Sequence, residues 1–202
     1  MPVKLTISVD SFALLHPFTI SRGTRTEAVV VTVRLTDGEF SGWAECTPYP
    51  RYGESVGSVV QLIEDRRADL RDGLTREALQ SLMPPGAARN AIDCALWDLE
   101  AKRSGTPVYK LAGLSASPSP LSTITVSLGT PDAMAEDAAR EAHRPLLKIK
   151  FGGKDGDLER IKAVRLAAPD TTLICDANEG WTGDTLQKHL DACAEYQYAL
   201  VE

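Results

Sequence analysis

The 202-residue sequence predicts two structural classes in succession: an α+β region over 1–117, then a parallel β/α region over 118–202 that runs to about four strands. Three observations predict it. The first part alternates apolar and polar residues around Asp37-Gly38, the pattern of antiparallel hairpins. Apolar stripes at helical spacing, with capping residues before them, come next. Beyond the Ser/Pro stretch "SASPSP" at 115–120, strands and helices alternate as βαβαβαβ, which reads as a parallel sheet with crossover helices.

The elements follow in order. "VKLTISVDSFAL" alternates over much of its length, and "AVVVTVRLTDGEFSGWAEC" reads as two strands joined at Asp37-Gly38. Between them "HPFTISRGTRTE" reads as a polar loop bearing Arg22 and Arg25. "TPYPRYGES" reads as a second loop, with Tyr49, Arg51 and Tyr52. Binding residues concentrate in such loops. Ser55 is placed to cap a helix through Leu70, and Thr75 to cap one with Glu77 in its first turn. "GAARNAIDCALWDLEAKRSG" is a long helix with Ala91, Ile92, Ala95, Leu96 and Leu99 on one stripe and Gly105 as its stop. "PVYKLAGL" is a short helical turn. The second region holds the strands "LSTITVSL", "LLKIKF", "TTLICDA" and "YALVE". Its helices begin at Thr130-Pro131, near Leu158 and at Thr182. Trp43, Trp97 and Trp181 are expected in the core or under loops.

Composition removes several function classes. The net charge is −6 and no Lys/Arg run occurs, which argues against a nucleic acid or an anionic membrane as partner. No apolar run approaches a membrane span and the N-terminus lacks a signal-peptide core, so a cytoplasmic protein is expected. Cys46, Cys94, Cys175 and Cys193 form no C-x-x-C pair and read as free thiols in a reducing compartment. His16, His143 and His189 are scattered and read as surface or boundary residues.

"LLKIKF" is a buried strand with two lysines on one face, because side chains two apart share a face. Thr125, Lys150, Asp176 and Glu202 recur at intervals of 25, 26 and 26 residues, near the C-terminal ends of successive strands. Each βα repeat thus delivers a polar group to the end of the sheet that holds the active site in (β/α) barrels. Asp176 and Glu202 would be neighbouring carboxylates, which repel unless a cation lies between them, and oxygen ligands suit Mg2+. Lys148 and Lys150 would feel each other's charge and partial burial, two effects that lower a lysine pKa and make it a usable base.

The run of "KIK", "DAN" and a strand-ending Glu resembles the enolase superfamily in its muconate-lactonizing-type branch. "ISRGTRTEA", "ECTPYPRYGES", "LTREALQ", "GAARNAIDCALWDLEAKR" and "LICDANEGW" are closer still to the dipeptide epimerases that act on L-Ala-D/L-Glu. The resemblance implies an α+β capping domain at 1–117 followed by a (β/α) TIM-type barrel from 118, truncated here after about four strands. It implies Mg2+ as cofactor, with Asp176 and Glu202 as metal ligands. Lys150 is then one acid/base and Lys148 assists it near the substrate carboxylate. Thr125 and Arg22 contact the dipeptide, with Arg25 competing for the role of Arg22. The implied reaction is epimerisation by lysine-mediated α-proton abstraction through an enolate, in murein peptide metabolism. A homo-oligomer is compatible with the sequence.

The family pattern also needs a third carboxylate ligand, an opposite lysine base and acidic residues on the last strand, all beyond Glu202. The chain is therefore expected to be a fragment, inactive alone. Two other readings stay open. One is cycloisomerase or o-succinylbenzoate synthase chemistry on the same scaffold. The other is a non-catalytic half-barrel that associates through its open sheet edge.

Overall fold

The structure, a computed structural model, describes residues 2–117, 119–152 and 155–202. The chain divides into two compact units, Met1–Ala13 with Glu27–Pro118 and Leu14–Thr26 with Ser119–Glu202. Pro118, at the expected domain boundary, lies outside the described residues.

The first sheet has the order β1 (Lys4–Ile20), β2 (Gly23–Asp37), β3 (Phe40–Cys46). Strands β2 and β3 pair antiparallel from Val31↔Cys46 to Asp37↔Phe40, so the turn falls at Gly38-Glu39, with Gly38 at φ 60°. The "HPFTISRGTRTE" segment is not a loop. β1 runs through Pro17 to Ile20 and β2 starts at Gly23. Proline hid the strand, yet β1 lies at the sheet edge, where a missing N–H costs no ladder bond.

The helix expected over 55–70 is broken. Ser55 and Ser58 form a reciprocal cap on α1 (Val56–Glu64), but the chain tightens at Asp65-Arg66 before α2 (Arg67–Arg71). The Arg67 guanidinium reaches back to the Leu5 carbonyl at 2.7 Å and also binds Glu64. A bond to a distant strand is invisible to local periodicity. α3 (Arg76–Leu82) carries the expected Thr75 cap, and α4 (Ala87–Ser104) ends at Gly105, φ 64°. α5 (Val108–Leu111) is a single turn.

In this unit Val31, Val33 and Leu35 pack against Val59, Ile63 and the α4 stripe Ala91, Ile92, Ala95 and Leu99. The alanines matter because β3 and α4 meet backbone to backbone. A Cβ at Gly42 would lie 2.1 Å from the Ala95 carbonyl oxygen. Gly42→Ala is expected to cost about 3 kcal/mol, the upper range for overpacking, read as a drop in urea midpoint without a change in slope. Residue 43 points to the opposite face, so Trp43 is 51% exposed, with the Arg34 guanidinium 4.6 Å over its ring, not in the core as expected.

The second sheet is parallel with the order β4 (Ile124–Val126), β5 (Leu146–Lys150), β6 (Thr172–Asp176), β7 (Leu200–Val201). The crossovers are α6 (Pro131–Glu141), α7 (Asp157–Ala167) and α8 (Gly183–Glu195). One sheet face is apolar: Val126, Leu147, Ile149, Phe151, Leu173 and Cys175 pack on Met134, Ile161, Val164 and Cys193. His189 is buried and stacks on Trp181 at 4.6 Å, deeper than the surface or boundary position expected, because it shares the inner face of α8 with Ala192 and Cys193. Cys46, Cys175 and Cys193 are buried free thiols and Cys94 is exposed. At the N-terminal end of the sheet, Arg165 donates to the carbonyls of Tyr196, Ala168, Pro169, Thr171 and Gln197. Among the described residues no helix is long and apolar enough to cross a membrane.

Candidate active site

The polar face of the second sheet is built row by row. In a parallel ladder, paired residues point the same way. The pairs Thr125↔Lys148 and Lys148↔Ile174 form one row, and Lys150↔Asp176 lies in the next row toward the strand C-termini. Thr125 is therefore level with Lys148, not with Lys150. The 25-residue interval that suggested alignment with Lys150 overshoots the register by one side-chain step. Glu202 follows β7, its N–H bonded to the Cys175 carbonyl, while the Ala177 N–H donates to the Glu202 carbonyl.

Four charged side chains meet there. Lys150, 8% exposed, donates to Asp176 Oδ2 at 2.6 Å. Lys148 Nζ lies 3.0 Å from the same oxygen and 2.6 Å from Glu202 Oε2. Phe18 brings its ring to 5.9 Å from Lys150 Nζ. The hydrogen bond to Glu202 pushes the Lys148 ammonium up from its usual pKa, against the opposing effect of burial, with Asp176 adding to the rise. This reverses the depression expected for Lys148, because attraction to two carboxylates outweighs its burial. Burial pushes Asp176 up, but bonds from Lys150, the Asn178 N–H and Lys148 together hold it below the usual carboxylate value.

Asp176 is held from a second side. The Asn178 backbone N–H donates to its Oδ1 at 2.8 Å, and Asn178 Nδ2 to its Oδ2 at 3.1 Å. Asn178 and Glu179 both have positive φ, 49° and 62°. The hairpin tip meets this loop. Ser21 Oγ and Arg22 Nη1 donate to the Asn178 carbonyl at 2.8 and 2.7 Å, and Arg22 is 3.8 Å from Glu179. Arg22 thus lies beside the loop after β6, while Arg25 is exposed on β2. Tyr49 and Tyr52 flank a turn of the first unit, with rings edge to face at 5.6 Å.

Behind Lys150 the backbone is fixed by Asp157, 2% exposed. Its Oδ2 accepts from the Gly152 N–H at 2.8 Å and from Trp181 Nε1 at 2.7 Å, and its Oδ1 from Arg160 at 2.9 Å. The loops after β5 and β6 meet main chain to main chain at their glycines, beside the stacked rings of Phe151 and Trp181. A Cβ on Gly152 would lie 2.2 Å from the Ala177 carbonyl oxygen, and one on Gly180 2.5 Å from the Gly152 Cα.

The donor set suits a hard cation in part. Asp176 and Glu202 present oxygens, and the Lys148 ammonium already bridges them as a positive charge. Among the described residues no group of three or more His, Cys, Asp or Glu side chains could hold an ion unaided. Two carboxylates alone fall short of the roughly six oxygen ligands that such an ion takes. Ser21 and Asn178 were missed as site residues. The signal for Asn178 was available in "DANEG", since Asn just after a strand tolerates left-handed backbone and can bond back to a nearby carboxylate.

Comparison with known proteins follows the same outline. The family described as "Mandelate racemase / muconate lactonizing enzyme, N-terminal domain" matches residues 3–113, and "Enolase C-terminal domain-like" matches 133–202. An L-Ala-D/L-Glu epimerase of Escherichia coli is 45% identical over 197 residues, covering 96% of this chain and 60% of its own. A crystal structure from Agrobacterium tumefaciens superposes with a TM-score of 0.94 at 50% identity, over 99% of this chain and 61% of that one. It is an enolase family member with homology to dipeptide epimerases, with bound sodium and L-Ala-L-Glu. A dipeptide epimerase of Enterococcus faecalis, complexed with Mg and L-Leu-L-Tyr, superposes with a TM-score of 0.89 at 29% identity, over 100% of this chain and 60% of its own. The chain thus spans about 60% of the length of these relatives.

Proposed function

The chain belongs to the mandelate racemase / muconate lactonizing enzyme family, and on that premise we propose that it forms the capping domain, 1–117, and the first barrel strands, from 118, of a Mg2+-dependent epimerase of L-Ala-D/L-Glu dipeptides. The observation that carries this reading is the Lys150–Asp176 pair at 2.6 Å, buried at the strand C-termini beside Lys148 and Glu202. The cytoplasm fits four free thiols and murein peptides are the natural source of such dipeptides.

In this reading Asp176 and Glu202 hold the ion as two of its ligands. When bound, Mg2+ offsets charge that develops on the substrate carboxylate. Lys150 Nζ exchanges a proton with the α-carbon of the C-terminal residue on one face. Lys148 supplies positive charge to the same carboxylate, and Thr125 beside it contacts the dipeptide. The Phe18 ring and the burial of Lys150 limit water at Nζ. The proton on the other face requires a second base, which the family pattern places after Glu202.

The test is incubation of the full-length protein with L-Ala-D-Glu and Mg2+ in D2O. Epimerisation with deuterium entering the glutamyl α-carbon is the expected result. No exchange, or turnover only of cycloisomerase or o-succinylbenzoate synthase substrates, overturns the reading. A polypeptide of these 202 residues alone is expected to show no turnover in the same assay.

A further inference from the structure

We propose that Asn178 is a positioning residue that couples the seating of the hairpin tip to the orientation of Asp176. This rests on the reading of Asp176 as an ion ligand. Each part of the link is a direct bond. On one side the Asn178 carbonyl accepts from Ser21 Oγ at 2.8 Å and Arg22 Nη1 at 2.7 Å. On the other, the same residue gives its backbone N–H to Asp176 Oδ1 and its Nδ2 to Asp176 Oδ2. Both carboxylate oxygens are therefore addressed by one residue, and that residue is pinned from the tip.

Two costs accepted at Asn178 argue that this is its role. Its φ of 49° is a left-handed conformation that side chains other than Asn, Asp and Gly resist, and Glu179 follows at 62°. Such strain concentrates where surrounding structure enforces a function. Its Oδ1 is buried with no hydrogen-bond partner among the described residues. A buried acceptor is normally satisfied. The amide is thus oriented by what Nδ2 gives to Asp176, not by anything its oxygen receives. A flipped amide would set an oxygen against the Asp176 carboxylate. Bonds of this kind fix the rotamer of a ligating carboxylate, so that it need not be reordered when an ion arrives.

The test measures Mn2+ binding to the full-length protein by electron paramagnetic resonance, with three variants. Asp176→Ala is expected to abolish binding. Asn178→Gly keeps the left-handed backbone without strain and removes only the side chain. It is expected to weaken Mn2+ about tenfold to a hundredfold, the usual effect of losing a partner of a ligand. Ser21→Ala, chosen over Arg22 because Arg22 is itself an expected dipeptide contact, removes one anchor of the tip. It is expected to weaken Mn2+ about threefold to tenfold, an indirect effect smaller than direct loss of a partner. The decisive readout is the double variant: in the Asn178→Gly background the effect of Ser21→Ala should shrink to the part carried by the backbone N–H to Asp176 Oδ1, since the Nδ2 branch of the path is gone. A merely structural role predicts additive losses. Wild-type affinity in Asn178→Gly, or an undiminished Ser21→Ala effect in that background, overturns the coupling. Unchanged affinity in Asp176→Ala instead overturns the ligand reading on which it stands.

Discussion

Lys150→Met in the full-length protein is expected to lower kcat for dipeptide epimerisation by about a thousandfold, with KM changed far less. A positioned acid/base contributes about a hundredfold to ten-thousandfold, and loss of an interaction made only in the transition state appears in kcat. Lys150 is suited to that role by its place: Nζ is 2.6 Å from Asp176 Oδ2 on the row nearest the strand ends, and the residue is 8% exposed. The fold should survive, because Asp176 keeps Lys148 at 3.0 Å and both donors of Asn178. Lys150→Arg separates two explanations. Arginine retains the positive charge beside Asp176 but does not give up its proton. If Lys150 moves a proton, the arginine variant is as slow as the methionine one and loses deuterium exchange on that face. Near wild-type kcat in Lys150→Arg would reduce Lys150 to a counter-charge.

The largest effect on stability is expected at Arg165, far from the chemistry. Arg165→Ala should destabilise the protein by about 3–4 kcal/mol, the upper range for a point change, because one charged donor group serves several part-buried carbonyls. Its guanidinium donates to five backbone carbonyls at 2.8–3.2 Å, those of Tyr196, Ala168, Pro169, Thr171 and Gln197. These belong to the end of α7, the approach to β6 and the approach to β7. Its guanidinium carbon is also 5.8 Å from the Tyr198 ring centre. Removing it leaves acceptors in three segments unpaired at once. Lysine places its three donors on one atom and is expected to restore less than half of the loss. Thermal or urea melts of the two variants check this; an alanine variant within about 1 kcal/mol of wild type would show that water replaces the network.

How much of this could be read from residues alone depends on the range of each interaction. The αβ alternation of the second unit and the caps Ser55, Thr75 and Thr130 were legible because period and capping act within one turn. Lys148, Lys150, Asp176 and Glu202 were legible as one face because repeat length sets the spacing between strand ends. Thr125 was one row off, since an interval in sequence gives no register when one crossover is three residues shorter than the next. The break at Asp65-Arg66 depends on the distant Leu5 carbonyl, and the long β1 on its place at an edge. The rise in the Lys148 pKa depends on two carboxylates from other strands, a balance that only three-dimensional distances decide.

The contact between Gly152 and Gly180 bears on how such a site can diverge. With no room for a Cβ at either position, the segments that follow Lys150 and Asp176 are fused along their main chains. Insertions or bulkier residues there would separate Lys150 from Asp176 before they could reshape the surrounding surface. Sequence change is thus channelled away from these two segments. The hairpin tip, which reaches the site through side chains, has the latitude they lack.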